Sequence, residues 1–136
     1  MPSTRIDLLN SIVTSLEALP LVNKASRFVD DQPVIENLAP YVAVVPGDEV
    51  TLVIDATDSR FMARIELIVF TKENYNAIEE LVAEIKNAIL EPIDLGEHCL
   101  GFELVSVAGP ELWENNQNSS ARFTVAMVYW APRDEN

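Results

Sequence analysis

His98 and Cys99 stand side by side in "DLGEHCLG" and are the only histidine and the only cysteine among the 136 residues. A zinc site takes about four ligands, so an isolated imidazole and thiol cannot build one, and the pair reads as part of a half-buried loop. A Cys/His nucleophile needs in-line geometry that two adjacent residues do not easily reach. The carboxylate pairs Asp30/Asp31, Asp48/Glu49, Asp55/Asp58 and Glu111/Glu114 are of a type that serves general acid–base work or calcium. None has the oxygen spacing of an EF-hand loop, and each reads as a solvated turn or cap. Nucleotide-binding glycine motifs, H-E-x-x-H and G-x-S-x-G are missing from the chain. No catalytic residue, metal or cofactor is expected.

A different kind of chemistry stands in "RFMARIELIVFTK". Phe61, Ala63, Ile65, Leu67 and Val69 alternate with Arg60, Met62, Arg64, Glu66, Ile68 and Phe70, as in a strand with one face in the core. The second face is charged at its start and apolar at its end. Charges on such a face must be solvated or paired, and the apolar residues beside them suit a partner with a matching strip. The last strand, "ARFTVAMVYWA", places Ala121, Phe123, Val125, Met127 and Tyr129 on one face and Arg122, Thr124, Ala126, Val128 and Trp130 on the other. Arg60, Arg64, Glu66 and Trp130 are therefore the candidate subunit-interface residues.

The remaining elements follow from periodicity. Ile6, Leu9, Ile12, Val13, Leu16 and Leu19 predict a helix over 4–19, capped by Ser3 or Thr4 and stopped by Pro20. A short strand is expected around Ala25 to Val29, within a long excursion to Pro40. "YVAVVP" reads as a buried strand ended by turn chemistry at Pro46-Gly47-Asp48, with a second short strand over Val50 to Ile54. A second helix begins near Thr71 to Glu73 and runs to about Leu90 on the stripe Ile78, Leu81, Val82, Ile85 and Ile89, and Glu91-Pro92 ends it. "FELVSV" is a strand and "PELWENNQNSS" a polar turn region. The order predicts an α+β fold: a mixed, mostly antiparallel sheet with two main helices packed on one face. Length and composition fit a single domain over 1–136.

Nine basic against 22 acidic residues leave a net charge of −13, which repels phosphate backbones and anionic membranes. A lone cysteine forms no internal disulfide. The segment "MPSTRIDLLNSIVTSL" carries Asp7 within its apolar pattern, so neither a signal peptide nor a membrane span is expected, and synthesis in the cytoplasm is the plain expectation.

Taken in order, the N-terminal helix, "FVDDQP", "PYVAVVPGDEV", "DSRFMARIELIVFT", "AIEELVAEIKNAIL" and "ARFTVAMVYW" span nearly the whole chain. This set resembles the tail terminator (tail completion, minor tail protein U-like) proteins of long-tailed bacteriophages. The most specific parts are the P-x-V-A-V strand before a G-x-E turn and the "ARIELIVF" strand feeding a helix. Phe61 stands where relatives often carry an indole. The resemblance implies a structural, non-enzymatic virion protein, made in the host cytoplasm, that forms a hexameric ring of copies of itself on the head-proximal end of the tail. There it would stop polymerisation of the tail tube protein and present the docking face for the head-connector protein. Genomic DNA would pass through the channel without specific binding, and an acidic lumen would let it slide. Asp30, Asp31, Asp48 and Glu49 are the candidate lumen or rim residues, as acidic positions in turns flanking strands.

Two other readings use the same residues. A phage neck or head-completion protein shares the size, acidity and ring habit. A small-molecule-binding regulatory domain would place a pocket between the helices and the sheet, although no polar cluster marks one.

Overall fold

The computed structural model describes residues 4–27, 40–54, 58–71, 75–90, 95–113 and 118–132. Its elements, in chain order, are α1 (Thr4–Glu17), β1 (Lys24–Arg27), β2 (Tyr41–Ile54), β3 (Asp58–Thr71), α2 (Tyr75–Leu90), β4 (Cys99–Trp113) and β5 (Asn118–Pro132). The five strands form one sheet in the order β1-β2-β3-β5-β4. β1 runs parallel to β2, and every other pairing is antiparallel. The architecture is α+β, with both helices on one face of the sheet.

That face is set by the alternation on the two central strands. Ala63, Ile65, Leu67 and Val69 of β3 and Ala121, Phe123, Val125, Met127 and Tyr129 of β5 are all buried. They meet Leu8, Leu9, Ile12 and Leu16 of α1 and Ile78, Leu81, Ile85 and Ile89 of α2 in one continuous core. Side chains two apart on a strand share a face, so this register requires one wet and one dry side. Ile6, expected in the α1 stripe, is exposed instead, and Leu8 takes the inward place. The helix closes at Glu17, two residues before the expected end. The chain then turns into β1, where Asn23 N–H and Lys24 N–H both donate to Pro40 O, at 2.8 and 3.2 Å. Leu21 N–H donates to the Glu84 carboxylate of α2 at 3.0 Å, which ties this connection to the second helix.

Other boundaries differ from the sequence reading too: Thr71, expected near the start of the second helix, ends β3, and Cys99, expected in a loop, begins β4. β2 does not end at Pro46-Gly47-Asp48: it continues to Ile54 against β3, with register shifts between Pro46 and Glu49 and between Thr51 and Val53. The turn residues are absorbed as a β-bulge, in which an extra residue bends one strand without breaking the ladder. Asp48 and Glu49 are thus strand residues. Much of "PELWENNQNSS" is likewise strand, because Glu111, Leu112 and Trp113 pair with Ser120, Ser119 and Asn118. Once a hairpin register is set by the buried stretch, the same ladder extends through polar residues whose backbone groups it satisfies. Phe28 and Val29, the expected end of β1, lie outside the described residues, as do Asp30, Asp31, Asp55, Lys72, the Glu91-Pro92 stop and Glu114.

The elements differ in length in a way that matters. Strands of 14 residues, such as β2 and β3, span about 46 Å at the usual rise, whereas the 16-residue α2 spans about 24 Å. The helices cannot cover the whole sheet. Residues 46–54 of β2 are the stretch left exposed.

Candidate assembly surface

The sheet face away from the helices brings together the four residues singled out by alternation. Arg60 lies directly opposite Trp130 in the β3–β5 register, Arg64 opposite Ala126, and Glu66 opposite Thr124. Arg60 and Arg64 are exposed, and Glu66 and Trp130 are half-buried. Neither arginine forms an ion pair with another described residue. Met62, Ile68 and Phe70 are half-buried on the same face, beside the half-buried Val128. Tyr41, opposite Phe70, stacks on it with ring centroids 6.3 Å apart and also hydrogen-bonds Ser26 of β1.

Arg122 completes the set. Its outward direction on β5 was legible, but only the register, with Ile68 opposite Arg122, sets it diagonal to Glu66. Arg122 Nε lies 3.9 Å from Glu66 Oε2. The Arg122 side chain is 54% and the Glu66 side chain 37% exposed, so solvent screens the pair, which is worth about 0–1 kcal/mol and serves orientation more than stability. Three arginines share this face with Asp58, Glu66 and Glu103, which lie opposite Pro132, Thr124 and Ala126, so the face carries charges of both signs.

Trp130 also has an internal task. Its ring stacks on His98 with centroids 4.1 Å apart and planes 24° from parallel. The indole N–H donates to Glu97 O at 3.1 Å, and the Trp130 backbone N–H donates to His98 O at 3.0 Å. His98 Nδ1 lies 3.1 Å from Trp130 O, a geometry that requires the proton on Nδ1. These contacts clasp residues 97–98 to the end of β5, a role that sequence reasoning missed because the partners are 32 positions apart.

Cys99 begins β4 and its thiol donates to Gly101 O at 3.5 Å. Burial pushes this thiol above its ordinary pKa, with the contact to Gly101 opposing the rise. The thiolate is the reactive form, so iodoacetamide at pH 8 is expected to alkylate Cys99 more slowly than it alkylates the urea-unfolded chain. Equal rates in the two states would count against the burial argument. Among the described residues, no group of three or more His, Cys, Asp or Glu side chains is placed to hold a metal ion.

The acidic candidates separate. Glu49 is engaged: Tyr129 Oη–H donates to its Oε1 at 2.5 Å, and Arg5 Nη1 lies 3.7 Å from the same oxygen. Arg5 Nη2 also donates to Gly47 O at 3.1 Å, so one arginine at the start of α1 holds both sides of the β2 bulge. Asp48 is exposed. Asp30 and Asp31 lie outside the described residues.

Among the described residues, these features define an α+β protein whose polar contacts are spread over a sheet face and a bulged strand. In overall fold the chain is similar to a chain from the structure titled "Virion of native gene transfer agent (GTA) particle", with a TM-score of 0.55 and 14% sequence identity, over 95% of this chain and 92% of that one. At that identity the likeness is one of fold. No protein-family model matches the sequence, and no curated protein matches it.

Proposed function

We propose that this chain is a structural virion subunit that caps a tail tube as a ring of copies, with the arginine-bearing sheet face as a contact surface. The observation that carries the reading is the end-to-end fold likeness to a chain of a virion particle, together with the sequence resemblance to tail terminators. The capping mechanism needs no bond made or broken. A ring presents a docking face that copies the tube on one side and lacks a polymerising edge on the other. Its contacts are heterologous, so one surface of a subunit meets a different surface of the next.

Arg60, Arg64 and Arg122 fit this task because the chain carries 22 acidic residues against nine basic ones. Charges of both signs at fixed strand positions select a neighbour with the complementary pattern, while Met62, Ile68 and Phe70 supply the apolar part. Asp48 is the acidic position offered to a lumen. Glu49 contributes there through the bulge that it holds in place. Asp30 and Asp31 complete the candidate rim, and DNA would pass without being bound.

The test is the length and joining of tails in electron micrographs of lysates lacking this chain, complemented by wild type or by Arg60→Glu/Arg64→Glu. Abnormally long tails without the chain are expected, with the double variant folding normally but failing to restore the regulated length. Normal tails unattached to heads would replace this reading with a neck or head-completion role.

A further inference from the structure

Beyond Val44, β2 is an open sheet edge among the described residues, because β1 pairs only with Tyr41–Val44. Its last five residues expose four apolar side chains beside Thr51: Val50 is 51% exposed, Leu52 48%, Val53 47% and Ile54 72%. At the opposite end of the sheet, β4 is the other edge, and its Val105 is 52% exposed. Natural edges are usually shielded by charge, proline or a covering element, and between Val50 and Ile54 there is neither charge nor proline.

Charge and strand direction identify the occupant. Two copies of a chain of net charge −13 repel, so they approach most easily where formal charge is absent. Val50–Ile54 and Leu104–Gly109 are two such uncharged segments, one on each edge. β5 is antiparallel to β3 and so parallel to β2, which makes β4 antiparallel to β2. Sheets continued from copy to copy in the same sense therefore bring the two edges together as an antiparallel pair, the geometry with the straighter hydrogen bonds. Because the register sets Val50–Ile54 level with Cys99–Gly101, the arm reaches Leu104–Gly109 after a stagger of about seven residues, the kind of shear that a closed wall of strands needs. The bulge at Thr51/Val53 adds local twist and bend. Successive copies are then rotated relative to one another, as closure into a ring requires.

We propose that the arm Val50–Ile54 of one copy pairs edge to edge with Leu104–Gly109 of β4 in the next copy. This rests on the ring reading above and supplies its subunit joint.

The test mixes Cys99→Ser/Val53→Cys with a mass-tagged Cys99→Ser/Val105→Cys and applies a short bismaleimide, with and without purified tail tubes. The mixed cross-linked pair is expected in several-fold excess over either self-pair. Val53→Asp, checked for native circular dichroism, is expected to weaken self-association about ten-fold or more in sedimentation, since it places an unpaired charge in the joint. Predominant self-pairs, cross-links from Val53→Cys to the tube protein alone, or unchanged association of Val53→Asp would each overturn the proposal. If Val53→Asp still forms rings and caps tubes, the arm proposal fails and the ring reading stands. A wild-type chain that stays monomeric beside tubes and leaves them uncapped ends both.

Discussion

Phe123→Ala is expected to lower the unfolding free energy by about 3–5 kcal/mol, the range for truncating a buried phenylalanine. Phe123 heads the largest fully buried side chains and lies on β5, between β3 and β4. Its register partners are Leu67 on one side and Val107 on the other, both part of the core or packed against it. Alanine would leave a void beneath two helices whose backbones are held by the rest of the sheet, so little collapse can fill it. Small domains are stable by only about 5–15 kcal/mol, and this variant should unfold at a much lower urea concentration with an unchanged slope. A loss under about 1 kcal/mol would mean that the core relaxes around the gap. Phe70→Ala makes the comparison. That side chain is half-buried on the helix-free face, and its loss should cost less.

Gly47→Ala is expected to be the most damaging small change outside the core, at about 1–3 kcal/mol. A Cβ on Gly47 would lie 2.9 Å from the Arg64 backbone O and 3.5 Å from its carbonyl carbon. The obstacle is backbone of the neighbouring strand, which has no rotamer to change. Either β2 and β3 separate or the bulge reshapes. Reshaping would disturb Gly47 O and Glu49, the two groups that Arg5 holds, and with them the hydrogen bond from Tyr129. Gly101→Ala is the internal control, since a Cβ there meets only the Val128 side chain at an ordinary 3.9 Å. A lower melting temperature for Gly47→Ala and little change for Gly101→Ala is the expected outcome. Equal melting temperatures would remove the close approach as the reason for glycine at 47.

The bulge also shows why a local reading of "VVPGDEV" went astray. Proline, glycine and aspartate in succession carry the local preferences of a turn, and by themselves they would make one. Here β3 supplies a continuous partner on both sides of the segment, with Pro46 opposite Ile65 and Glu49 opposite Ala63. Ladder hydrogen bonds on either flank outweigh the local preference, and the surplus residues are accommodated as a bulge. The break expected at "PELWENNQNSS" shrank for a related reason. Hairpin pairing between β4 and β5 continues wherever backbone groups need partners, whatever the polarity of the side chains.

Alternation on β3 and β5 and the stripes on α1 and α2 were readable from the chain because a single buried face imposes a strict period of two on strands and 3.6 on helices. By the same rule the sequence determined the α+β class, the helix-bearing face, and the outward direction of Arg60, Arg64, Glu66, Arg122 and Trp130. Which outward residues become neighbours depended on register, a relation between segments far apart in the chain that no local period encodes. Tertiary structure alone therefore set Arg60 opposite Trp130, brought Arg122 to Glu66, clasped His98 under Trp130 and drew Arg5 onto the β2 bulge. It also left Val50–Ile54 uncovered: Val50 and Val53, opposite Met62 and Arg60, lie on the helix-free face, and on the other face about 24 Å of helix cannot span about 46 Å of strand to reach Thr51 and Ile54.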